Sequence, residues 1–377
     1  MKRIWTVLLA ICITPILLTA TASAASVTTA GTPAYQSPGR FQVGITTLDL
    51  GSAGPKLGER YATVFYPSDL TAAQAGSMAK FSYLQSETIP TSLQGILPPQ
   101  YNTDTTIDAF QDAPASKKGP FPIVLFSHGF GGQRLFYSNL LAGISSWGYV
   151  VVSADYLERG IAAQALSLNL KPTAAFDQTI MASSLRTLLL ANKTSSSVLY
   201  GVANPKLVAA VGHSAGGGTA FNALKVPVVK TAIGWAPVPP TGIPSSKPVM
   251  LIGAEGDNAV TPKWVKRTYE KFTGPKSLIE ISGEGHDTYT DTCVVIRGGG
   301  GLINFALNNH FIQPKLASLA INGCQASDLA PPQFWPIVQY YTVFQLATQF
   351  ANKKSVVPVP AKGAFPGFTV SVTQQGT

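Results

Sequence analysis

The chain has 377 residues, a formal charge of +9 and only 12% charged residues, against roughly 25% in an average soluble protein, so Ser, Thr, Asn and Gln must cover much of its surface. Apart from Lys2-Arg3 at the start, its basic residues are scattered, with only the pairs Lys117-Lys118, Lys266-Arg267 and Lys353-Lys354, which excludes the basic stripe that a nucleic-acid backbone requires. Neither a Cys-x-x-Cys nor a His-rich metal spacing occurs, so no metal and no cofactor is expected.

The first residues, Met1-Lys2-Arg3, precede an apolar run from Ile4 to Leu18 and then Ala22-Ser23-Ala24. A positive start, a short apolar core and a small-residue exit predict a secretory signal peptide over 1–24, cleaved after Ala24. The alternative, an uncleaved membrane anchor, is disfavoured by Pro15 and by the shortness of the run. The mature chain is therefore expected outside the cytoplasm, extracellular or periplasmic, with no stable membrane insertion. Cys12 lies in the leader, which leaves Cys293 and Cys324; two cysteines in an exported chain are expected to pair. Closing a loop of about 30 residues in this way stabilises a fold by roughly 3–4 kcal/mol in the chain-entropy model.

Residues 25–40 are Ser/Thr/Pro-rich and read as a loose lead-in. A catalytic domain is expected over 41–354, with a tail over 355–377. Phe41 to Leu50 and Arg60 to Tyr66 alternate as strands of an antiparallel hairpin at a sheet edge. A polar, Pro-punctuated stretch over 67–119 follows, with one helix near Thr71 to Lys80; a connection of that length reads as an insertion. Phe121 to Phe126 is a continuous apolar run, as a strand buried on both faces requires. Tyr137, Leu140, Leu141, Ile144 and Trp147 then recur at helical spacing, and Tyr149 to Ala154 is a second buried strand.

Met181, Leu185, Leu188 and Leu189 mark another helix before the strand Leu207 to Val211. Thr231 to Trp235, Val249 to Gly253 and Ser277 to Ile281 continue the strands, a helix starts at Thr261-Pro262, and Ile337 to Phe350 closes the domain. Alternating strands and helices predict an α/β fold: a mostly parallel central sheet flanked by helices, joined by right-handed crossovers. A second insertion occupies about 287–333. Phe368 to Val372 is strand-like but has no assignable neighbour.

Chemistry concentrates where the strand ending at Val211 runs into Gly212-His213-Ser214-Ala215-Gly216-Gly217-Gly218. A strand, a turn sharp enough to lift Ser214 above the sheet and an immediate helix start need small residues two before and two after the serine; Gly212 and Gly216 supply them. A serine hydroxyl is a weak nucleophile at neutral pH and needs a base, which a third group must hold. Two histidines follow Ser214 with room for an acid between, His286 in Gly285-His286-Asp287 and His310 in Asn309-His310. His286, just past a strand end, is the better placed. Ala254-Glu255-Gly256-Asp257-Asn258 offers two acids; Asp257, immediately before the next helix, is favoured over Glu255. The oxyanion donors are expected to be the backbone N–H groups of Ala215 and of Phe130, the latter in Ser127-His128-Gly129-Phe130-Gly131-Gly132. Phe130, His213 and Trp235 are expected to border the substrate, and His128 to be structural.

With these motifs the chain resembles the α/β-hydrolase esterases, and within them the branch of platelet-activating-factor acetylhydrolases, dienelactone-hydrolase-like proteins and cutinases that cleave polyesters such as PET. The matching pieces are Ser127 to Gly132, Gly212 to Gly217, Gly253 to Asp257 with Ala259 to Pro262, and Gly285-His286. The resemblance implies a serine carboxylic-ester hydrolase acting on short to medium acyl esters, or alternatively a lipase, cutinase or polyester hydrolase. A non-enzymatic exported binding protein is the reading from another class. Ala215 stands where polyester-cleaving cutinases usually carry Met, and Val238 where they carry the Trp of an Ala-Pro-Trp turn. The second insertion begins beside His286 and is expected to roof the site in part and pin the histidine's loop, the alternative being decoration on a distant face.

Overall fold

The computed structural model describes residues 34–242, 246–298, 301–353 and 356–376. The leader expected over 1–24 and its cleavage point lie outside the described residues. Nine strands carry the main sheet: β1 Gln42–Ser52, β2 Glu59–Ser68, β3 Phe121–Ser127, β4 Val150–Ala154, β5 Ala203–His213, β6 Val229–Trp235, β7 Val249–Ala254, β8 Lys276–Ile281 and β9 Val370–Gln375. Their spatial order is β9-β8-β7-β6-β5-β3-β4-β2-β1, with the two-residue strand Phe110–Gln111 beyond β1. From β8 to β4 every neighbouring pair is parallel; the β1–β2 hairpin and β9 add antiparallel margins.

Period-two alternation sorts side chains to the two faces. Val124, Phe126, Val211, Met250 and Ile252 bury on one face, against Leu140 and Ile144 of α1 (Ser138–Ser145) and Ile337, Tyr341 and Leu346 of the closing helix (Pro331–Phe350). Ile123, Leu125, Val208, Ala210 and Leu251 bury on the other. There they meet Ile180 and Leu188 of α2 (Ala174–Ala191), Phe221 of α3 (Ala215–Asn222) and Val265 of α4 (Pro262–Lys271). Strands apolar at consecutive positions thus form a sheet covered on both sides, as parallel sheets require.

The second insertion contains α5 (Asp291–Gly298), α6 (Gly301–Asn308) and α7 (Pro314–Ala320), and the closing helix is α8. Cys293 of α5 is disulfide-bonded to Cys324, just past α7, with their Cα atoms 5.1 Å apart.

Several boundaries differ from the expectations, each for a local reason. Helix α8 begins at Pro331 rather than Ile337, because prolines at the first two helical positions surrender only N–H groups that have no partner there anyway. Helix α1 stops at Ser145, and Trp147 instead donates its indole N–H to the carbonyl of Ser37 at 3.0 Å. The described part of the lead-in is accordingly not loose: Tyr35 packs edge-on against Trp147, and Gln339 donates to the carbonyls of Tyr35 and Ser37. The unplaced strand-like piece of the tail is β9, whose six residues pair antiparallel with all of β8.

Reversal of the strand order gives the sheet its functional end. From β3 the chain crosses to β4 on one side and then returns to place β5 on the other. The loops leaving β3 and β5 therefore diverge at their C-terminal ends, opening the crevice in which ligands of open α/β sheets bind.

Candidate active site

Both loops at that crevice are the glycine-flanked ones. Ser214 follows β5 with φ 55° and ψ −120°, a left-handed conformation that costs an ordinary residue of order 1–3 kcal/mol. The turn holds because its neighbours close in on it. A Cβ on Gly216 would lie 1.9 Å from the carbonyl oxygen of Ser127, and one on Gly212 would lie 2.1 Å from that of Gly216. The Ser214 N–H donates to the carbonyl of Trp235 at 2.9 Å, and its own carbonyl accepts from Val238 and Gly217.

Three side chains from three loops meet above this turn. His286, in the loop after β8, has Nε2 2.9 Å from Ser214 Oγ and Nδ1 2.8 Å from Asp257 Oδ2, the latter in the loop after β7. Asp257 is held in turn, since its Oδ1 accepts from the N–H groups of Ala259 and Val260 at 2.8 and 2.7 Å. Both Nδ1 and Asp257 are buried. Burial by itself lowers the imidazole pKa, but the hydrogen bond and charge of Asp257, aided by the charge of Asp287, outweigh it and raise His286 above its ordinary value. The neutral ring consistent with this pattern carries its proton on Nδ1 and leaves Nε2 free to accept from the serine. Of the two acids offered by that loop, Glu255 is exposed and Asp257 reaches the ring. His310 sits past the end of α6 in a left-handed turn.

His213 supports the base without joining the triad. Its Nδ1 accepts from the Tyr137 hydroxyl at 2.8 Å and its Nε2 donates to the His286 carbonyl at 3.0 Å. Complete burial, together with the neighbouring His286, holds it well below the ordinary histidine value, so it stays neutral. Tyr137 also accepts from the N–H of Gly129 at 3.3 Å, which ties the β3 loop to the β5 turn.

The β3 loop is fixed from below. Burial and the charge of Arg159 push His128 down to about 3; its Nδ1–H donates to the Gly129 carbonyl and its Nε2 accepts from the N–H of Tyr156. Arg159 donates to Ser127 Oγ and to the His128 carbonyl at 2.8 and 2.7 Å, and pairs with Asp177, which also accepts from Thr219 on α3. The Arg159 carbonyl accepts from the N–H of Gly131. Among the described residues, neither the N–H of Phe130 nor that of Ala215 has an acceptor. The Ala215 group opens helix α3, whose dipole presents its positive end there.

Around Ser214 lies an open cleft with a cavity volume of about 170 Å³. Phe130 and His213 border it as expected, and the Phe130 ring is 48% exposed. Trp235 does not border it. Its ring is fully buried on the sheet face, where the indole N–H donates to Thr342 of α8 at 3.0 Å, because alternation along β6 turns the side chain into the core rather than toward the loops. Both insertions contribute walls: Leu93 and Ile96 from the first, Ile303 and Leu316 from the second.

One residue beside the triad has no counterpart among the sequence expectations. Asn322, two residues before Cys324, accepts through Oδ1 from the N–H groups of His286 and Asn258 at 2.8 and 3.1 Å. Its Nδ2 donates to the Gly256 carbonyl at 3.2 Å, and its own carbonyl accepts from the N–H of Asp287 at 2.9 Å. The base loop, the acid loop and the second insertion are thus joined at one side chain, so the insertion does pin the histidine's loop. An Asn-Gly-Cys run signals only a turn beside a disulfide; nothing in it announces two loops about 40 and 65 positions upstream.

Among the described residues no group of His, Cys, Asp and Glu could hold a metal ion, and no helix is long and apolar enough to cross a membrane. A family model described as chlorophyllase matches residues 104–238, and an α/β-hydrolase model described as TAP-like protein matches residues 231–297. Among solved structures, a ferulic acid esterase from Streptomyces cinnamoneus superposes with a TM-score of 0.64 at 20% identity, over 89% of this chain and 98% of that one. No curated protein matches the chain.

Proposed function

We propose that this chain, an α/β-hydrolase-fold carboxylic ester hydrolase, is exported and works through an acyl-enzyme on Ser214, on short to medium acyl esters. The carrying observation is the continuous relay from Asp257 through His286 to Ser214, at 2.8 and 2.9 Å. His286 Nε2 takes the Ser214 proton as Oγ adds to the ester carbonyl. The oxygen that becomes negative is received by the N–H groups of Phe130 and Ala215, and Asp257 stabilises the imidazolium without itself accepting the proton. His286 then protonates the departing alcohol, leaving an acyl group on Ser214. A water, deprotonated by the same nitrogen, releases the acid and restores the serine.

The second reading, a lipase, cutinase or polyester hydrolase on the same triad, is favoured by the open cleft beside Ser214. Ala215 and Val238, in place of the cutinase Met and Trp, weigh against a clamp on a polymer ring. Hydrolysis of p-nitrophenyl butyrate by wild type and Ser214→Ala tests the assignment, together with labelling by a fluorophosphonate. Equal rates in the two proteins, or labelling that survives the substitution, would end it; a wild type that shows neither a burst nor labelling would favour a binding protein. Activity of the purified full-length product in the culture fluid or periplasm tests export.

A further inference from the structure

The walls of the cleft carry information about the substrate that the triad does not. They come from both insertions, Ile89, Leu93 and Ile96 from the first and Ile303, Phe305 and Leu316 from the second, and from Phe130 of the β3 loop. Among the described residues, no lysine or arginine lines the cleft. The ionisable groups on its wall are the triad's own His286, the neutral His213, Tyr137 and Asp287. Asp287, next to His286, would oppose a second negative charge brought to the serine. Beyond these and Ser214, the polar side chains on the wall are Gln85, Thr88, Thr290 and Thr292, set among a majority of apolar ones, so a ligand seated here meets no lysine or arginine for a carboxylate or phosphate and a mainly apolar wall.

Resting on the esterase reading above, we infer that the two insertions form a chain-binding cleft, and that the preferred substrate is a neutral ester bearing an apolar chain of medium length. Whether the chain belongs to the acid or to the alcohol, the chemistry that recognises it is the same, removal of methylenes from water. A buried methylene contributes about 0.8 kcal/mol, a factor of about four in kcat/KM, so each addition should raise the rate until the cleft is filled. Ile96, 48% exposed at the rim, and Leu93 behind it can take a charge without disturbing the sheet core.

The test uses the full-length protein and two monomeric substrate series, p-nitrophenyl esters from acetate to decanoate and acetates of alcohols from ethanol to decanol. In at least one series kcat/KM is expected to rise tenfold or more from four to ten carbons, a fraction of the ceiling set by methylene burial; the series that rises identifies which side carries the chain. Leu93→Asp and Ile96→Asp should each lower the decanoyl-to-butyryl ratio, or its alcohol counterpart, by about tenfold. Rates that fall with length in both series, or ratios unmoved by both substitutions, overturn the inference while leaving a Ser214-dependent esterase intact. Binding is read separately in Ser214→Ala, where methyl decanoate or decyl acetate should raise the melting temperature and methyl butyrate should not. Ligand stabilisation without any wild-type turnover would sink the esterase reading and spare the cleft; equal responses to the long and short esters would sink the cleft.

Discussion

Removing the Asn322 side chain tests how much of the triad's geometry is imposed from outside its own three loops. Asn322→Ala loses the hydrogen bonds to the N–H groups of His286 and Asn258 and to the Gly256 carbonyl. At about 0.5–1.5 kcal/mol each, three such bonds amount to about 2–4 kcal/mol; the side chain is half-buried, so water replaces part of them and the lower figure is expected for stability. The kinetic effect is larger than the loss of contacts suggests. A catalytic group displaced by about 1 Å can cost 10²-fold, and the backbone of His286 would keep only the bond that its carbonyl accepts from His213, so kcat/KM should fall about 10- to 100-fold. Asn322→Asp keeps an acceptor for both N–H groups and should recover most of that loss, while its charge moves the acid limb of the pH–rate profile upward. The assay is p-nitrophenyl butyrate hydrolysis from pH 5 to 9, with urea denaturation run on the same preparations. A kcat/KM for Asn322→Ala within about twofold of wild type, or an Asp variant no better than Ala, would refute the reasoning, since a positioning bond must register in rate and be restored by its acceptor.

Asp257→Asn should lower kcat by about 10⁴-fold, as removal of the orienting carboxylate does in comparable triads, and move the acid limb to lower pH, because the carboxylate is what raises His286; an unmoved limb in a pH–rate series would contradict this. Burial raises Glu284, 1% exposed, from 4.5 to about 7, so between those values the folded chain holds a proton that the unfolded chain has released, and stability falls as pH rises through the window. Glu284→Gln, which can keep the bond from Thr288, should therefore gain up to about 3 kcal/mol at pH 8 and little at pH 4; an equal change at both, measured by urea denaturation, would count against it. Gly216→Ala should cost at least about 3 kcal/mol, because its Cβ would collide with backbone at 1.9 Å, which no rotamer change relieves; a melting temperature within a degree or two of wild type would show that the turn can open.

Local chemistry made most of the frame legible. The runs Phe121 to Phe126 and Val249 to Gly253 are apolar at nearly every position, which only a sheet covered on both faces can use, and they became β3 and β7. Gly212 and Gly216 announced the turn because their requirement is short-range steric exclusion, and the chain order of serine, acid and histidine narrowed the acid to one loop and the base to two histidines. What remained illegible depended on where distant segments come to rest. Trp235 stands beside the site in sequence pattern, yet the register of β6 and the packing of α8 turn it into the core. Residues 370–375 found a role only because β8 offered an unpaired edge. The walls of the cleft and the three side-chain hydrogen bonds of Asn322 arise from insertions folding back over the sheet, and an isolated Leu or Asn carries no mark of the partner it will meet. Sequence specified which groups could react; tertiary structure decided which of them meet, and what kind of molecule can reach them.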